Sequence, residues 1–271
     1  MTVRDLLARS LRHYWRSNLA VALGVGVAVS ALAGALVVGH SVRTSLRELA
    51  LSRLGSTDLI VTANTLFTEQ LGERLEAAPT FRAAWRGPVP LLALEGVVLH
   101  ESSGARAGAV QVFGVDDRFW QFHAIEGVSG PAGRSAYLSP ALAHELNAAD
   151  GDALLVRVQK PSTIPAGLLQ GRRDEPGRGI RLTTARVLPR TQLGEFSPRP
   201  QQGASRTIFV PLDRLQRDAD LLHRANMLLV ARGTGMNTHA AALAQDVQQQ
   251  SDINDLGIRI RPLARDTLVI E

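Results

Sequence analysis

Hydrophobic and polar positions divide this chain sharply. Residues 19–39 read LAVALGVGVAVSALAGALVVG, an apolar run with no charge and one polar side chain, Ser30. At ~1.5 Å per residue it forms roughly 30 Å of helix, the thickness of a bilayer's hydrocarbon core, so the pattern predicts a transmembrane helix. Two other readings exist. Ala31-Leu32-Ala33 imitates a signal-peptide cleavage site, but the run continues past it and exceeds the usual ~7–15 residues of such a segment. A buried core helix is the third reading, and an all-round apolar helix flanked by arginines is unusual in so small a domain. Gly24, Gly26, Gly34 and Gly39 permit close helix–helix approach, although glycine is common in membrane helices anyway.

Before the run, Val3, Leu7, Leu11 and Tyr14 recur at helical spacing, with Leu6 and Trp15 beside them and the arginines mostly elsewhere. Residues 1–18 are therefore read as an interfacial amphipathic helix, the plainer alternative being a cytoplasmic extension of the membrane helix. Arg4, Arg9, Arg12 and Arg16 stand against one acid, Asp5, and the following flank carries only Arg43 and Arg47. The positive-inside rule keeps the N-terminus cytoplasmic and sends residues 40–271 out of the cytoplasm, which makes this a cell (inner) membrane protein.

Periodicity in the outer part alternates between strand and helix. Residues 41–54 continue the membrane helix as an amphipathic stalk, with Leu46, Leu49 and Leu54 on one side and Gly55 to end it. Residues 58–63 form a short strand, and Asn64 caps a helix in which Phe67, Leu71 and Leu75 repeat every four residues, closed by Ala78-Pro79. Two β-branched runs, 89–100 and 107–115, joined by Ser-Ser-Gly, predict a hairpin. A turn or short helix at 116–120 follows, then a strand at 135–138. Ser139-Pro140 opens a helix to about Asn147, and Asp150-Gly151-Asp152 turns into a strand at 153–159. The Pro-, Gly- and Arg-rich stretch 160–180 reads as an exposed loop, more readily a tolerated insertion than a partner contact. Beyond it come a strand at 182–188, a loop at 196–202, a strand at 206–211, a helix at 212–222, a strand at 225–231, a helix at 238–250 and a strand at 256–260. That order predicts an α+β fold: an N-terminal transmembrane helix, then a mixed α/β extracytoplasmic domain with a β-rich subdomain inserted at about 107–205.

Charge and composition narrow the function. The formal net charge is +5, but residues 40–271 hold 26 basic and 24 acidic side chains, so most of the excess sits in the N-terminal flank. A nucleic-acid partner is therefore not expected. There is no cysteine, hence no disulfide and no thiolate chemistry. The one lysine, Lys160, precedes Pro161 and cannot complete a P-loop. His144-Glu145 begins like a zinc-protease helix, but position 148 is Ala where the second histidine belongs. Asp116-Asp117 and Asp150/Asp152 are read as caps and turn formers rather than cation ligands. No catalytic, cofactor-binding or metal-ligating residue is assigned, and the chain is not expected to be an enzyme.

Three stretches carry a resemblance: the membrane helix running into Leu46-Arg47-Glu48-Leu49-Ala50 and Arg53-Leu54-Gly55-Ser56-Thr57-Asp58; Phe113-Gly114-Val115-Asp116-Asp117-Arg118-Phe119-Trp120; and Leu138-Ser139-Pro140-Ala141-Leu142-Ala143-His144-Glu145-Leu146 followed by Gly151-Asp152. In this order the chain resembles the permease subunit of MacB/FtsX-type ABC transporters. The resemblance implies a periplasmic core domain, a separate ATP-binding subunit, pairing with a second permease as a homo- or heterodimer, and ATP-driven closure passed through membrane helices to the outer domain. It also implies about three further membrane helices, so the present chain is read as an N-terminal fragment. The alternative is a single-pass extracytoplasmic sensor or binding domain. An exported hydrolase is disfavoured by the missing motifs.

Overall fold

The computed structural model describes residues 9–159, 179–199, 201, 203–233, 239–252, 255, 260–264 and 267–270, apart from the side chains of Asn64 and of residues 260–264 and 267–270. It divides into two compact units, Met1–Leu51 and Ser52–Glu271.

The apolar run and its stalk form a single helix, α1 (Trp15–Leu54), of 40 residues. Val27, Leu32 and Leu36 are 70%, 68% and 74% exposed, so the helix is apolar on every side and uncovered there. Among the described residues it is the one helix long and apolar enough to cross a membrane. Residues 9–13 are also helical, with a bend at Tyr14. The helix ends where expected: Gly55 adopts φ +56°, the left-handed conformation that costs other residues roughly 1–2 kcal/mol.

The outer unit is built from β1 (Leu59–Thr68), α2 (Gln70–Ala77), α3 (Pro79–Ala84), β2 (Trp85–His100), β3 (Arg106–Val115), α4 (Asp117–Phe122), β4 (Ser135–Leu138), α5 (Pro140–Leu146), β5 (Ala153–Val158), β6 (Gly179–Val187), β7 (Thr207–Pro211), α6 (Leu212–Asp218), β8 (Arg224–Arg232) and α7 (Ala240–Gln250). A separate two-stranded pair, β9 (Ile260–Ala264) and β10 (Thr267–Ile270), follows. The chain is thus α+β with an N-terminal apolar helix, as its pattern predicts.

The long strand β2 organises the sheets. Its first half pairs antiparallel with β8, which pairs in turn with β1. Its second half pairs with β3 on one side and β5 on the other. Since β3 pairs with β7, β7 with β4, β4 with β6 and β6 with β5, the strands β2-β3-β7-β4-β6-β5 close into a ring. The pairs β3–β7 and β4–β6 are parallel and the others antiparallel. Closure removes free strand edges from this part of the fold. Leu92, Leu94, Val98, Val110, Val112, Leu138, Leu154, Val156, Ile180, Leu182, Ile208 and Val210 form one aliphatic core there, joined by Leu142 and Leu146 of α5 and Leu212 and Leu215 of α6. Gly96 is where β2 meets β3 and β5 together, and a Cβ there would lie 2.5 Å from the Arg157 carbonyl oxygen. The close approach requires glycine.

Two further clusters cover the β1-β8-β2 sheet. Phe67, Leu71, Leu75, Phe81, Trp85, Leu228, Val230 and Leu243 pack with α2, α3 and α7. An aromatic-rich cluster holds Leu91, Phe113, Phe119, Trp120, Phe196, Phe209 and Leu229.

Several boundaries differ from the sequence expectation. The first strand runs to Thr68 and carries Asn64 and Phe67, so Asn64 is not a helix cap; α2 starts at Gln70 after Glu69. Pairing with β8 resumes at Phe67 after a register shift, and this non-local partner overrides the local four-residue spacing. Pro79 does break the helix, but it also sits at the start of α3. β2 begins at Trp85 rather than Val89. α6 stops at Asp218 rather than continuing to Leu222, because Asp220 and His223 both take positive φ and the Gln216 side chain donates to the Arg224 carbonyl at 2.9 Å. The expected loop at 160–180 falls almost wholly outside the described residues, as do positions 256–259 of the expected last strand and residues 1–8.

Candidate functional site

The residues just beyond the long helix converge on three separate parts of the outer unit. Arg53, in the last turn of α1, is 7% exposed. Its Nη1 donates to the Gln201 carbonyl at 2.8 Å and its Nη2 to the Gly203 carbonyl at 2.9 Å. The same Nη2 lies 3.3 Å from Glu195 Oε2, and this carboxylate is equally enclosed. Glu195 Oε1 accepts a second bond, from Arg190 Nε at 2.6 Å. A buried carboxylate with two guanidinium partners, and a guanidinium with two carbonyls besides, form a satisfied network except for Arg53 Nε, which has no partner among the described residues.

The next residues contact His123, just past α4. The Ser56 backbone N–H donates to His123 Nδ1 at 3.0 Å. That bond requires a bare Nδ1, so the ring is neutral and its proton sits on Nε2, which is buried without a partner among the described residues. Phe119, Phe122 and Phe196 surround the imidazole with centroid distances of 4.7, 4.9 and 5.8 Å. Burial in this aromatic pocket pushes the His123 pKa down to about 4. Gly55 faces the same ring, and a Cβ there would stand 2.6 Å from Nδ1. Finally, the Asp58 N–H donates to the Val230 carbonyl at 3.1 Å, and Asp58 Oδ2 accepts from the Arg232 N–H at 2.8 Å. Residues 53–58 are therefore held by the 190–203 segment, by α4 and by β8.

A second polar node lies at the far end of β1. Asp255 accepts from the Thr68 N–H at 2.9 Å, from Thr68 Oγ1 at 2.5 Å, from the Asp252 N–H at 2.9 Å and from the Arg74 guanidinium. Burial alone would raise its pKa, but the hydrogen bonds from Asp252 and Thr68 and the Arg74 charge outweigh it and hold the carboxyl below its ordinary value.

The acids singled out by sequence take local roles. Asp116 caps α4, accepting from the Arg118 N–H at 3.0 Å, and pairs with the Arg118 guanidinium. Asp117 accepts from the Gly130 N–H at 2.8 Å. Asp152 accepts from the Ala149 N–H at 2.8 Å and lies 3.3 Å from His100 Nε2. Glu145 pairs with Arg206 at 2.6 Å. No group of three or more His, Cys, Asp or Glu could hold a metal among the described residues. The sequence pattern includes Arg53 in the 53–58 run but gives it no partner, and it does not mark Glu195 or His123. The available signal was a lone acid inside Leu193-Gly194-Glu195-Phe196 and a basic residue beside the stalk's apolar side. What the joint can do is hold position: none of its groups is arranged as nucleophile or ligand.

No protein-family model and no curated protein matches the chain. Among solved structures, the chain is similar to the crystal structure of the periplasmic region of MacB from Actinobacillus actinomycetemcomitans, with a TM-score of 0.40, 7% identity, and coverage of 70% of this chain and 73% of that one. It is similar also to the extracellular domain of the noncanonic ABC-type transporter YknZ from Gram-positive bacteria, with a TM-score of 0.40, 11% identity, and coverage of 67% and 78%.

Proposed function

We propose that this chain is part of the permease of an ABC transporter of the MacB/FtsX type, carrying ATP-driven movement from a cytoplasmic motor through α1 to an extracytoplasmic domain. On this reading residues 19–39 cross the membrane with the N-terminus inside, and the ring of strands contains the subdomain inserted at about 107–205. The observation that carries the reading is the buried clamp on Arg53. Its partners lie on the segment between β6 and β7, so any shift of residues 53–58 must move the outer unit's core or break a buried ion pair. Breaking such a pair costs ~3–5 kcal/mol, which favours movement of the whole over slippage at the joint. A tether that merely anchored a domain to a membrane would not require this. The partners that follow are a separate ATP-binding subunit and a second permease.

Purification of the full-length gene product from its native membranes tests this. A co-purifying ATP-binding subunit in near-stoichiometric amount supports the proposal. Recovery without any ATPase, together with saturable binding of a ligand to residues 40–271, would establish the single-pass sensor instead.

A further inference from the structure

Ahead of the membrane run, the basic side chains share one side of the helix. The Tyr14 N–H donates to the Ser10 carbonyl at 3.0 Å and the Asn18 N–H to the Tyr14 carbonyl at 2.9 Å, so the helical frame continues through the bend at Tyr14. In that frame Arg9, Arg12, His13 and Arg16 fall at i, i+3, i+4 and i+7, which is one face. Leu11, Tyr14 and Trp15 lie away from it and are 58%, 58% and 54% exposed. The Arg16 guanidinium carbon sits 5.7 Å from the Trp15 ring centroid, and His13 and Tyr14 stack edge-to-face at 4.8 Å. None of the three arginines has an acidic partner among the described residues.

We infer that this stripe is a binding face for anionic phospholipid headgroups in the leaflet beside the N-terminus, and so remains occupied after the helix has inserted. The inference rests on residues 19–39 spanning a bilayer, as proposed above. With Leu19 at the hydrocarbon boundary, Arg16 lies ~4.5 Å and Arg12 ~10 Å along the helix from it. The headgroup layer is roughly 5–7 Å deep on each side, and the lipid surface potential extends about another 8 Å. Arg16 therefore sits among the headgroups and Arg12 within reach of their charge, with Arg9 one turn further along the same face. Trp15 and Tyr14 suit the interfacial boundary, where an aromatic ring can shield the arginine stem while the guanidinium pairs with phosphate. The occupant is lipid because the stripe continues directly into the helix proposed to span the bilayer. The rival role is a topological signal alone, which needs no lasting contact with any lipid class.

The protein carries its own reporter. Trp85 and Trp120 are 2% and 1% exposed, whereas Trp15 is open. Full-length chain is reconstituted in nanodiscs of phosphatidylcholine and phosphatidylglycerol, with the acyl chains of one lipid or the other brominated, and tryptophan quenching is followed against mole fraction. Trp15→Phe defines the part of the signal that belongs to Trp15. Enrichment of anionic lipid around the stripe predicts half-maximal quenching by brominated phosphatidylglycerol at a several-fold lower mole fraction than by brominated phosphatidylcholine. The preference should shrink stepwise as each arginine is removed. The combined Arg9→Gln, Arg12→Gln and Arg16→Gln variant, with Arg4 retained, should bring the two curves together, as should high salt in the unaltered protein. Superimposed curves for the unaltered protein, or a preference that survives in the triple variant, would overturn the inference and leave the membrane span intact. Quenching by neither lipid would overturn the span and the inference together.

Discussion

Replacing Arg53 by Met keeps most of the side chain's volume and removes its charge and donors. The substitution leaves the Gln201 and Gly203 carbonyls without a partner and Glu195 with Arg190 alone. Arg190 is 71% exposed and holds its partner from the solvent side, so Glu195 is not stranded entirely. Breaking a buried pair from one side costs ~3–5 kcal/mol, and the remaining Arg190 contact places this case near ~3 kcal/mol. For a unit of this size each 1 kcal/mol moves the melting temperature by ~2–4 °C, so Arg53→Met should melt roughly 6–12 °C lower. Thermal unfolding of the full chain in detergent, followed by the fluorescence of the buried Trp85 and Trp120, reads this directly. A cycle with Glu195→Met sharpens it. Once the carboxylate is gone, losing the guanidinium should cost clearly less, giving a coupling of ~1–3 kcal/mol. A melting point unchanged within 2 °C, or strictly additive single effects, would refute the reasoning that Arg53 and Glu195 form the clamp.

Four other expectations follow from the fold. His123 is near pH 4 when folded and near 6.5 when exposed, so the unfolded chain binds the extra proton as pH falls. The His123 contribution to stability should be full above pH ~6.5, fall between there and pH ~4 by up to ~3 kcal/mol, and level off below; urea midpoints across that range check it, and His123→Phe should flatten the slope. Asp255, whose folded pKa is depressed, contributes stability that is lost only below its ordinary carboxyl range, so Asp255→Asn should change the acid limb and leave the His123 window unaltered. Gly55→Ala should destabilise by ~2 kcal/mol through its positive φ and the approach to His123, and part of that loss should vanish in a His123→Ala background. Gly96→Ala meets the Arg157 backbone rather than a mobile side chain; it should lower the melting point further than Gly55→Ala, by scanning calorimetry.

What sequence could and could not reveal divides along the distance between partners. The long helix and its glycine stop, the β2–β3 hairpin, and the Ser139-Pro140 start of α5 depend on neighbours a few residues away, and they fall where the pattern puts them. Ser139 Oγ accepts from the Leu142 N–H at 3.2 Å and caps that start. The spacing of Phe67 to Leu71 fits a helix, but its state is decided by β8, more than 150 residues away. Ring closure by β2 and β5 has no local trace either. The joint is the extreme case. Arg53 and Glu195 are separated by 142 residues. The partner of His123 is a backbone N–H that any residue but proline could supply, so no side-chain pattern announces it.

Hydrogen exchange at the joint addresses the central claim most directly. The full-length protein, co-purified with the ATP-binding subunit proposed above, is compared with and without ATP under conditions that block hydrolysis. Transmission through α1 predicts altered protection of the Ser56 and Thr57 amides and of residues 193–199, in step with nucleotide occupancy, and loss of that response in Arg53→Met. Exchange at these amides that is identical in both nucleotide states, while the ATP-binding subunit itself responds, would contradict the account.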